Sequence, residues 1–250
     1  GGTSYNFTST AGLITMGWSL SILGNGTQII AEIERAAPSG GGTCVAPAET
    51  YTTAGAAQTT IPAGCTSAIA EVWGAGGGGA DGTGGFGHYG GGGGGGAYAL
   101  GAITGLTPGN TLNYTVGAGG DSETVGDDSF VVNASTVMAK GGGAANDASA
   151  GSGGTATASV GSTKYIGGNG AGGSSFPFLT NAGGGGGAAG TAANGSNGTG
   201  NTGGNGGASG GGNGGNSGNA GVGPGGGGGG STSGAGNAGA DGRVTITWGD

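Results

Sequence analysis

The chain has 250 residues, of which 78 are glycine, six are proline and only 6% are charged. A collagen triple helix is excluded, because collagen needs an unbroken Gly-X-Y frame with abundant proline. Nucleic-acid binding and membrane insertion are not expected, because the four basic residues are scattered in a chain of net charge −8 and no apolar run approaches the roughly 18 residues of a membrane span.

Residues 1–37 differ from the rest of the chain because apolar side chains are dense and mostly alternate there. Alternation followed by the turn Gly24-Asn-Gly26 and a second apolar run predicts a β-hairpin. A short helix over residues 28–37 is the alternative. We interpret the segment as a β-rich attachment or assembly arm, whose assembly contacts would come from Leu13, Ile14, Met16, Trp18, Leu20 and Ile22.

Residues 38–65 are predicted to form a linker and a loop bounded by the two cysteines, Cys44 and Cys65. In an extracellular protein the two cysteines would form a disulfide that closes this loop, whereas in an assembly formed in the cytosol they could remain thiols. A metal or redox site is not expected, because the chain has no Cys-X-X-Cys motif and a single histidine.

Strands are predicted at several places in residues 66–250. Residues 67–73 have strand chemistry, and residues 97–140 contain several short antiparallel strands with a turn at Thr107-Pro-Gly-Asn110. The last strand, residues 243–248, alternates with period two, which predicts Val244, Ile246 and Trp248 on one face.

Glycine tracts separate these strands, beginning with residues 74–79 and 90–96. They are not predicted to be α-helical, because each glycine costs about 1 kcal/mol relative to alanine in a helix. A flexible linker is one interpretation of such tracts. We favour an ordered state, because strands at both ends must be brought together.

A repeat of three residues occurs within residues 200–221, where the positions counted in threes from Gly200 are all glycine except Ser209. This period is typical of a polyproline II-type helix, which has three residues per turn and no hydrogen bonds of its own. Helices without side chains could approach closely and pair their backbone groups laterally. We therefore predict a mostly irregular, all-β fold in which packed polyglycine II helices form a sandwich-like bundle capped by short antiparallel strands, with little or no α-helix.

Three landmarks then follow in a fixed order: Glu71-Val-Trp-Gly-Ala-Gly-Gly-Gly-Gly79, Leu106-Thr-Pro-Gly-Asn-Thr-Leu-Asn-Tyr-Thr-Val-Gly-Ala-Gly-Gly120 and Gly239-Ala-Asp-Gly-Arg-Val-Thr-Ile-Thr-Trp248. This order resembles the glycine-rich C-terminal domain of bacteriophage tail-fibre proteins, over about residues 66–248. The resemblance implies an adhesin in the virion tail whose loops contact a bacterial outer-membrane protein or a surface glycan. Residues 1–65 would then attach it to the fibre shaft or to identical subunits.

Aromatic and apolar residues in two loops are the candidate receptor contacts. One set, Phe86, His88 and Tyr89, lies between two glycine tracts, and the other, Phe176, Phe178 and Leu179, lies in the glycine-rich half. Aromatic residues on loops of a rigid scaffold are common recognition elements. The alternatives are an ordinary solvated turn around His88 and a plug at the edge of the bundle formed by Phe176 and Phe178.

No catalytic site or cofactor is predicted. The single histidine has no nucleophile or carboxylate at a spacing that indicates catalysis. Four acidic residues gather in one short segment and suggest a calcium site, although their spacing matches no EF-hand and a solvated acidic turn is the alternative. These weak metal candidates are Asp121, Glu123, Asp127 and Asp128.

The leading functional hypothesis is therefore non-enzymatic recognition of a bacterial surface. The alternative is a secreted or surface subunit that assembles into a filament through the apolar arm, because a strand-rich arm that cannot bury itself needs a partner. An ice-binding protein is a third hypothesis, against which the aromatic loops and the apolar arm argue.

Overall fold

The computed structural model describes residues 8–9, 12–13, 42–84, 87–174 and 181–250. The chain divides into two units, Gly1–Ser39 and Gly40–Asp250. In the first unit, β1 (Thr8–Ser9) pairs antiparallel with β2 (Gly12–Leu13). The predicted hairpin around Gly24-Asn-Gly26, its helical alternative and the assembly residues beyond Leu13 lie outside the described residues.

The second unit contains short antiparallel strands, and no α-helix occurs in the described ranges. No helix there is therefore long and apolar enough to cross a bilayer. The predicted fold class, all-β with much irregular backbone, is confirmed. The strands are β3 (Glu49–Tyr51), β4 (Gly55–Thr60), β5 (Ser67–Trp73), β6 (Gly82–Thr83), β7 (Tyr98–Thr104), β8 (Thr111–Val116), β9 (Ser129–Val131), β10 (Val137–Ala139), β11 (Thr163–Tyr165), β12 (Ser233–Gly234) and β13 (Arg243–Gly249).

Two of the sheets form a β-sandwich around the main hydrophobic core. One has the strand order β11-β7-β5-β13-β3 and the other the order β10-β9-β8-β4. Val244, Ile246 and Trp248 are buried on one face of β13, as the period-two pattern predicts. They pack against residues of the opposite sheet such as Val116 and Val131. Burying an aliphatic side chain such as Val or Ile contributes about 1.5–3 kcal/mol. Burial of apolar side chains therefore stabilises the sandwich, as it does most globular domains.

Residues 44–65 connect the two sheets. Residues 38–65 are predicted to be a linker and loop, whereas β3 pairs with β13 in one sheet and β4 pairs with β8 in the other. Cys44 and Cys65 form a disulfide that joins the two ends of this crossover, and Cys65 is fully buried. Of the two states considered for these cysteines, the structure has the disulfide.

The crossover contains a partly buried tyrosine whose ionisation is expected to destabilise the fold. Tyr51 stacks on Tyr114 with ring centroids 4.0 Å apart, and its hydroxyl donates to Glu49. Burial and, after it, the hydrogen bond to Glu49 raise the pKa of Tyr51 to about 12. Because the pKa is about 10 in the unfolded chain, the stability from neutral Tyr51 is fully present below pH 10 and is lost between about pH 10 and 12.

We expect the free energy of unfolding to fall between about pH 10 and 12, and Tyr51→Phe to lessen that fall. Urea unfolding of both proteins at pH 8 and at pH 11 measures the difference. If the wild-type chain and Tyr51→Phe lose the same free energy of unfolding between pH 8 and pH 11, Tyr51 does not contribute to that loss.

The glycine tracts lie next to the sandwich strands in the chain but form a different kind of structure. Residues 74–80 follow β5, and residues 90–97 precede β7. The backbone N–H groups of Gly74, Gly77 and Ala80 donate to the carbonyls of Ala97, Gly94 and Gly91 over 2.8–3.0 Å. The intervening residues bond to other segments instead: Gly76 and Gly79 donate to residues 240 and 237, and Ala75 and Gly78 donate to residues 127 and 124. One bond every third residue in each direction is the pattern of packed polyglycine II helices.

Four such helices form an inner group, each hydrogen-bonded to six neighbouring segments among the described residues. They are residues 74–80, 90–97, 183–190 and 225–231. Around them runs a closed ring of outer segments, each bonded to the next: residues 151–154, 167–171, 194–198, 203–207, 211–216, 219–222, 236–241, 117–120, 124–127 and 140–145. Six neighbours for every inner helix define a hexagonal lattice, in which backbone hydrogen bonds take the place of apolar side chains.

The three-residue repeat of residues 200–221 lies in segments of the outer ring and not in the inner helices. Residues 200–221 are divided by turns at 208–210 and 217–219, and Gly200 and Gly218 have positive φ. The physical reason is the number of neighbours. An outer segment has one face free for a side chain every third residue, whereas an inner helix has neighbours on all sides and consists of glycine with a few alanines.

Asparagine and aspartate side chains complete the hydrogen bonding of the outer ring. Their Oδ1 atoms accept backbone N–H groups of an adjacent segment, as Asn216 does from Gly203 (2.9 Å) and Asn213 does from Gly206 (2.7 Å). Asp241 accepts from Gly119 in the same way (2.8 Å). These side chains satisfy donors at the margin of the lattice, as capping residues do at helix ends.

Candidate recognition site

The loops between the polyglycine helices gather at the end of the lattice away from the β-sandwich. Residues 74–80 lead from β5 to this end, where Ala80 is hydrogen-bonded to Gly91. We call these loops the loop end. Its described parts are residues 81–84, 87–89, 121–124, 146–149, 172–174, 181–182, 199–202, 216–219 and 231–236.

His88 and Tyr89 join three loops. His88 Nε2 lies 3.3 Å from Asp147 Oδ1, and the backbone N–H of Tyr89 donates to the carbonyl of Ser174 (2.8 Å). Thr83 Oγ1 accepts the backbone N–H of His88 (2.9 Å), which fixes the turn between them. The predicted contacts His88 and Tyr89 are therefore half-buried residues on an anchored loop.

Four predicted receptor contacts, Phe86, Phe176, Phe178 and Leu179, lie outside the described residues. Their role stays a prediction. The described backbone on either side of both gaps belongs to the loop end, because Thr83 bonds to His88 and Ser174 to Asn181.

Asp81 anchors a second group of loops. Its Oδ1 accepts hydrogen bonds from the Ser122 hydroxyl and from the backbone N–H of Gly236 (2.9 Å). The bond from Ser122, and after it the bond from Gly236, lower the pKa of Asp81. The adjacent Glu123 accepts the backbone N–H of Asp81 (3.4 Å). Loops 81–89, 121–124 and 231–236 are thus tied together by one carboxylate.

The four predicted calcium ligands are divided between two places. Asp121 and Glu123 lie at the loop end, whereas Asp128 pairs with Lys140 (3.0 Å) and accepts the backbone N–H of Gly141 (2.8 Å). Asp127 contributes its backbone carbonyl to Ala75. Within the described ranges, no three His, Cys, Asp or Glu side chains lie close enough together to hold a metal ion.

Charge is unevenly distributed over the second unit. The described loop end carries exposed acidic side chains and no lysine or arginine. The basic residues of this unit contact other parts: Lys140 pairs with Asp128, Lys164 donates to the carbonyl of Ser159 (3.1 Å), and the Arg243 guanidinium lies 3.7 Å from the Trp73 ring centroid. The described loop end is therefore an acidic surface with one histidine.

Sequence reasoning missed the residues that hold the loop end together. Asp81, Ser122 and Asp147 form its side-chain contacts, yet none belongs to a motif. Asp81 and Gly236 are 155 positions apart. The detectable signal is chemical: short polar side chains next to glycine tracts are suited to bond backbone groups at turns.

The comparison with known families agrees with this architecture. A family model described as a glycine-rich domain matches residues 52–249, from the crossover between the sheets to the end of β13. A search among curated proteins finds no match to the chain. The matched region includes nearly all of the sandwich, the whole polyglycine lattice and the loop end, and the chain belongs to this glycine-rich domain family.

Proposed function

We propose that the protein is a non-enzymatic recognition module that binds a bacterial outer-membrane protein or surface glycan through the loop end, as an adhesin at the tip of a phage tail fibre. The lattice is its scaffold, and the virion tail is its location. The observation that carries the proposal is the anchoring of separate loops at one end by His88–Asp147, Asp81–Ser122 and Tyr89–Ser174. Loops fixed on a rigid framework lose little conformational entropy on binding.

The proposal is tested by binding of the purified, fluorescently labelled chain to a panel of Gram-negative strains. We expect binding to at least one strain, and a His88→Ala/Tyr89→Ala variant that binds it at least about tenfold more weakly, since removal of central interface side chains commonly costs more than 1 kcal/mol each. Ile69→Ala/Thr247→Ala, on the exposed outer face of the sandwich, is the matched control and should bind normally.

Thermal unfolding of both variants separates loss of contact from loss of fold. Equal binding by the loop-end variant and the wild-type chain would contradict the site. Failure of the wild-type chain to bind any strain would contradict the function.

The rival hypothesis of a filament subunit depends on the apolar residues 13–33, of which only the backbone of Leu13 is described. Attachment to a fibre shaft or to identical subunits through residues 1–65 rests on the same arm. Both stay predictions. Electron microscopy of the purified chain distinguishes them, because the filament hypothesis requires polymers made of this chain alone.

A further inference from the structure

Three asparagines on two adjacent outer helices have the same orientation. Asn169 accepts the backbone N–H of Gly153 (2.8 Å), Asn194 that of Ile166 (3.0 Å) and Asn197 that of Asn169 (2.8 Å), each through Oδ1. In a carboxamide the oxygen and the nitrogen point in different directions from the same carbon. Because the three oxygens are held by backbone N–H groups of the adjacent segment, the three Nδ2 groups are left directed towards solvent. All three side chains are exposed.

The helices that carry these asparagines form a flat surface, which we call the amide face. Residues 167–171 bond to two inner helices, 90–97 and 183–190, and lie between the outer segments 151–154 and 194–198. In a hexagonal lattice, an outer segment between two inner helices is the middle of a straight edge. Along one helix, Asn194 and Asn197 are separated by about 9 Å, three residues of about 3.1 Å rise.

The chemistry of the amide face is uncharged and rich in donors. No residue between 165 and 240 is charged at neutral pH. Exposed Ser152 and Ser196 lie on the two flanking segments and add hydroxyl groups. The three Nδ2 groups have no hydrogen-bond partner among the described residues, so each presents its donors to solvent. Two copies of such a face would oppose donors to donors, which disfavours self-association through the amides.

We propose that the amide face, centred on Asn169, Asn194 and Asn197, is a second binding surface, separate from the loop end, and that its ligand is a neutral glycan. Hydroxyl and acetamido oxygens of an extended sugar chain accept from the ordered Nδ2 groups. The oxygens that hold the amides in place are already bonded to the backbone, so the donors are oriented before the ligand arrives. A lack of nearby charge means that neither partner has to lose a strongly bound hydration shell.

Asn→Asp substitutions test this surface without removing the lattice contacts. Aspartate has the same shape and keeps an oxygen for the backbone N–H, but it replaces the outward amide donor with a charged acceptor. We expect a soluble chito-oligosaccharide to perturb the NMR signals of Gly153, Asn169 and Asn197 in the wild-type chain. The Asn169→Asp/Asn194→Asp/Asn197→Asp variant should bind the oligosaccharide at least about tenfold more weakly, with an unchanged unfolding temperature.

The matched control introduces the same charge on the β-sandwich, away from the lattice. Asn110→Asp/Asn113→Asp/Asn133→Asp, at three exposed positions, should bind the oligosaccharide as the wild-type chain does, and so should the loop-end variant His88→Ala/Tyr89→Ala. Absence of perturbation in the wild-type chain would overturn the proposal. An equal loss of oligosaccharide affinity in both Asp variants would also overturn it, because the loss would then come from the added net charge and not from the amide face. Thermal hysteresis without oligosaccharide binding would identify ice as the ligand and overturn it too.

Discussion

Replacing Gly93 with alanine is expected to lower the free energy of unfolding by about 3 kcal/mol or more. Gly93 lies in an inner helix, and a Cβ there would stand 2.1 Å from the carbonyl oxygen of Gly77 and 2.6 Å from its carbon. Both atoms belong to a backbone that is itself bonded on all sides, so no side chain can rotate away. The two helices would have to separate, and the hydrogen bond between them from Gly77 to Gly94 would lengthen.

Urea unfolding followed by tryptophan fluorescence measures this loss. Gly42→Ala is the control, because a Cβ at Gly42 meets no atom within 4 Å, and we expect it to change stability by less than about 0.5 kcal/mol. A Gly93→Ala variant as stable as the wild-type chain would contradict the close approach of the inner helices. The expected loss is a large share of the 5–15 kcal/mol that typically stabilises a folded protein.

Removing the disulfide is expected to cost about 3 kcal/mol. Cys44 and Cys65 are 21 positions apart. The bond between them reduces the conformational entropy of that loop in the unfolded chain. It also holds the crossover in place, because the backbone N–H of Cys44 donates to Asp250 (2.6 Å) beside the end of β13. We therefore expect Cys44→Ala/Cys65→Ala to unfold at a lower urea concentration than the wild-type chain.

Unfolding of the reduced wild-type chain is the control for this second variant. Cys65 is fully buried, so the double alanine variant loses side-chain contacts as well as the covalent bond. Reduction alone removes only the bond and should account for most of the loss. A loss below about 1 kcal/mol on reduction would contradict a role for the disulfide in stabilising the crossover.

Local patterns in the sequence predicted β5, β13 and the short strands of residues 97–140, but not β3 and β4. The strand-forming residues of 67–73 identify β5, and alternation of apolar residues identifies β13 to within a residue, because one face of β13 contacts the core. The turn from Thr107 to Asn110 is also found, with the N–H of Asn110 donating to the carbonyl of Thr107. These features depend on residues close together in sequence, whose chemistry is directly visible.

The partners of the polyglycine helices could not be predicted. Residues 74–80, 90–97 and 225–231 are almost identical in composition, and a backbone N–H carries no information about which carbonyl it will meet. Their neighbours are fixed by the strands and turns that connect them. For the same reason the frame in residues 200–221 indicated the right kind of helix but not which segments each helix would contact.

The loop end illustrates the same difference between local and distant contacts. Glycine tracts on either side of residues 81–89 predict an exposed loop, whereas His88 and Tyr89 are half-buried in the anchored loop that the structure shows. The pairing of His88 with Asp147, and of Asp81 with Ser122 and Gly236, depends on how the lattice stacks its helices. No spacing within the sequence encodes those contacts.

Residue-level amide hydrogen exchange tests the central claim, that a lattice of backbone hydrogen bonds holds the glycine-rich region. The account predicts that amides of the inner helices, residues 74–80, 90–97, 183–190 and 225–231, exchange only through global unfolding, as slowly as those of β5 and β13, although they belong to no α-helix or sheet. Exchange of these glycine amides at the rate of an unstructured peptide, while β5 and β13 stay protected, would contradict it.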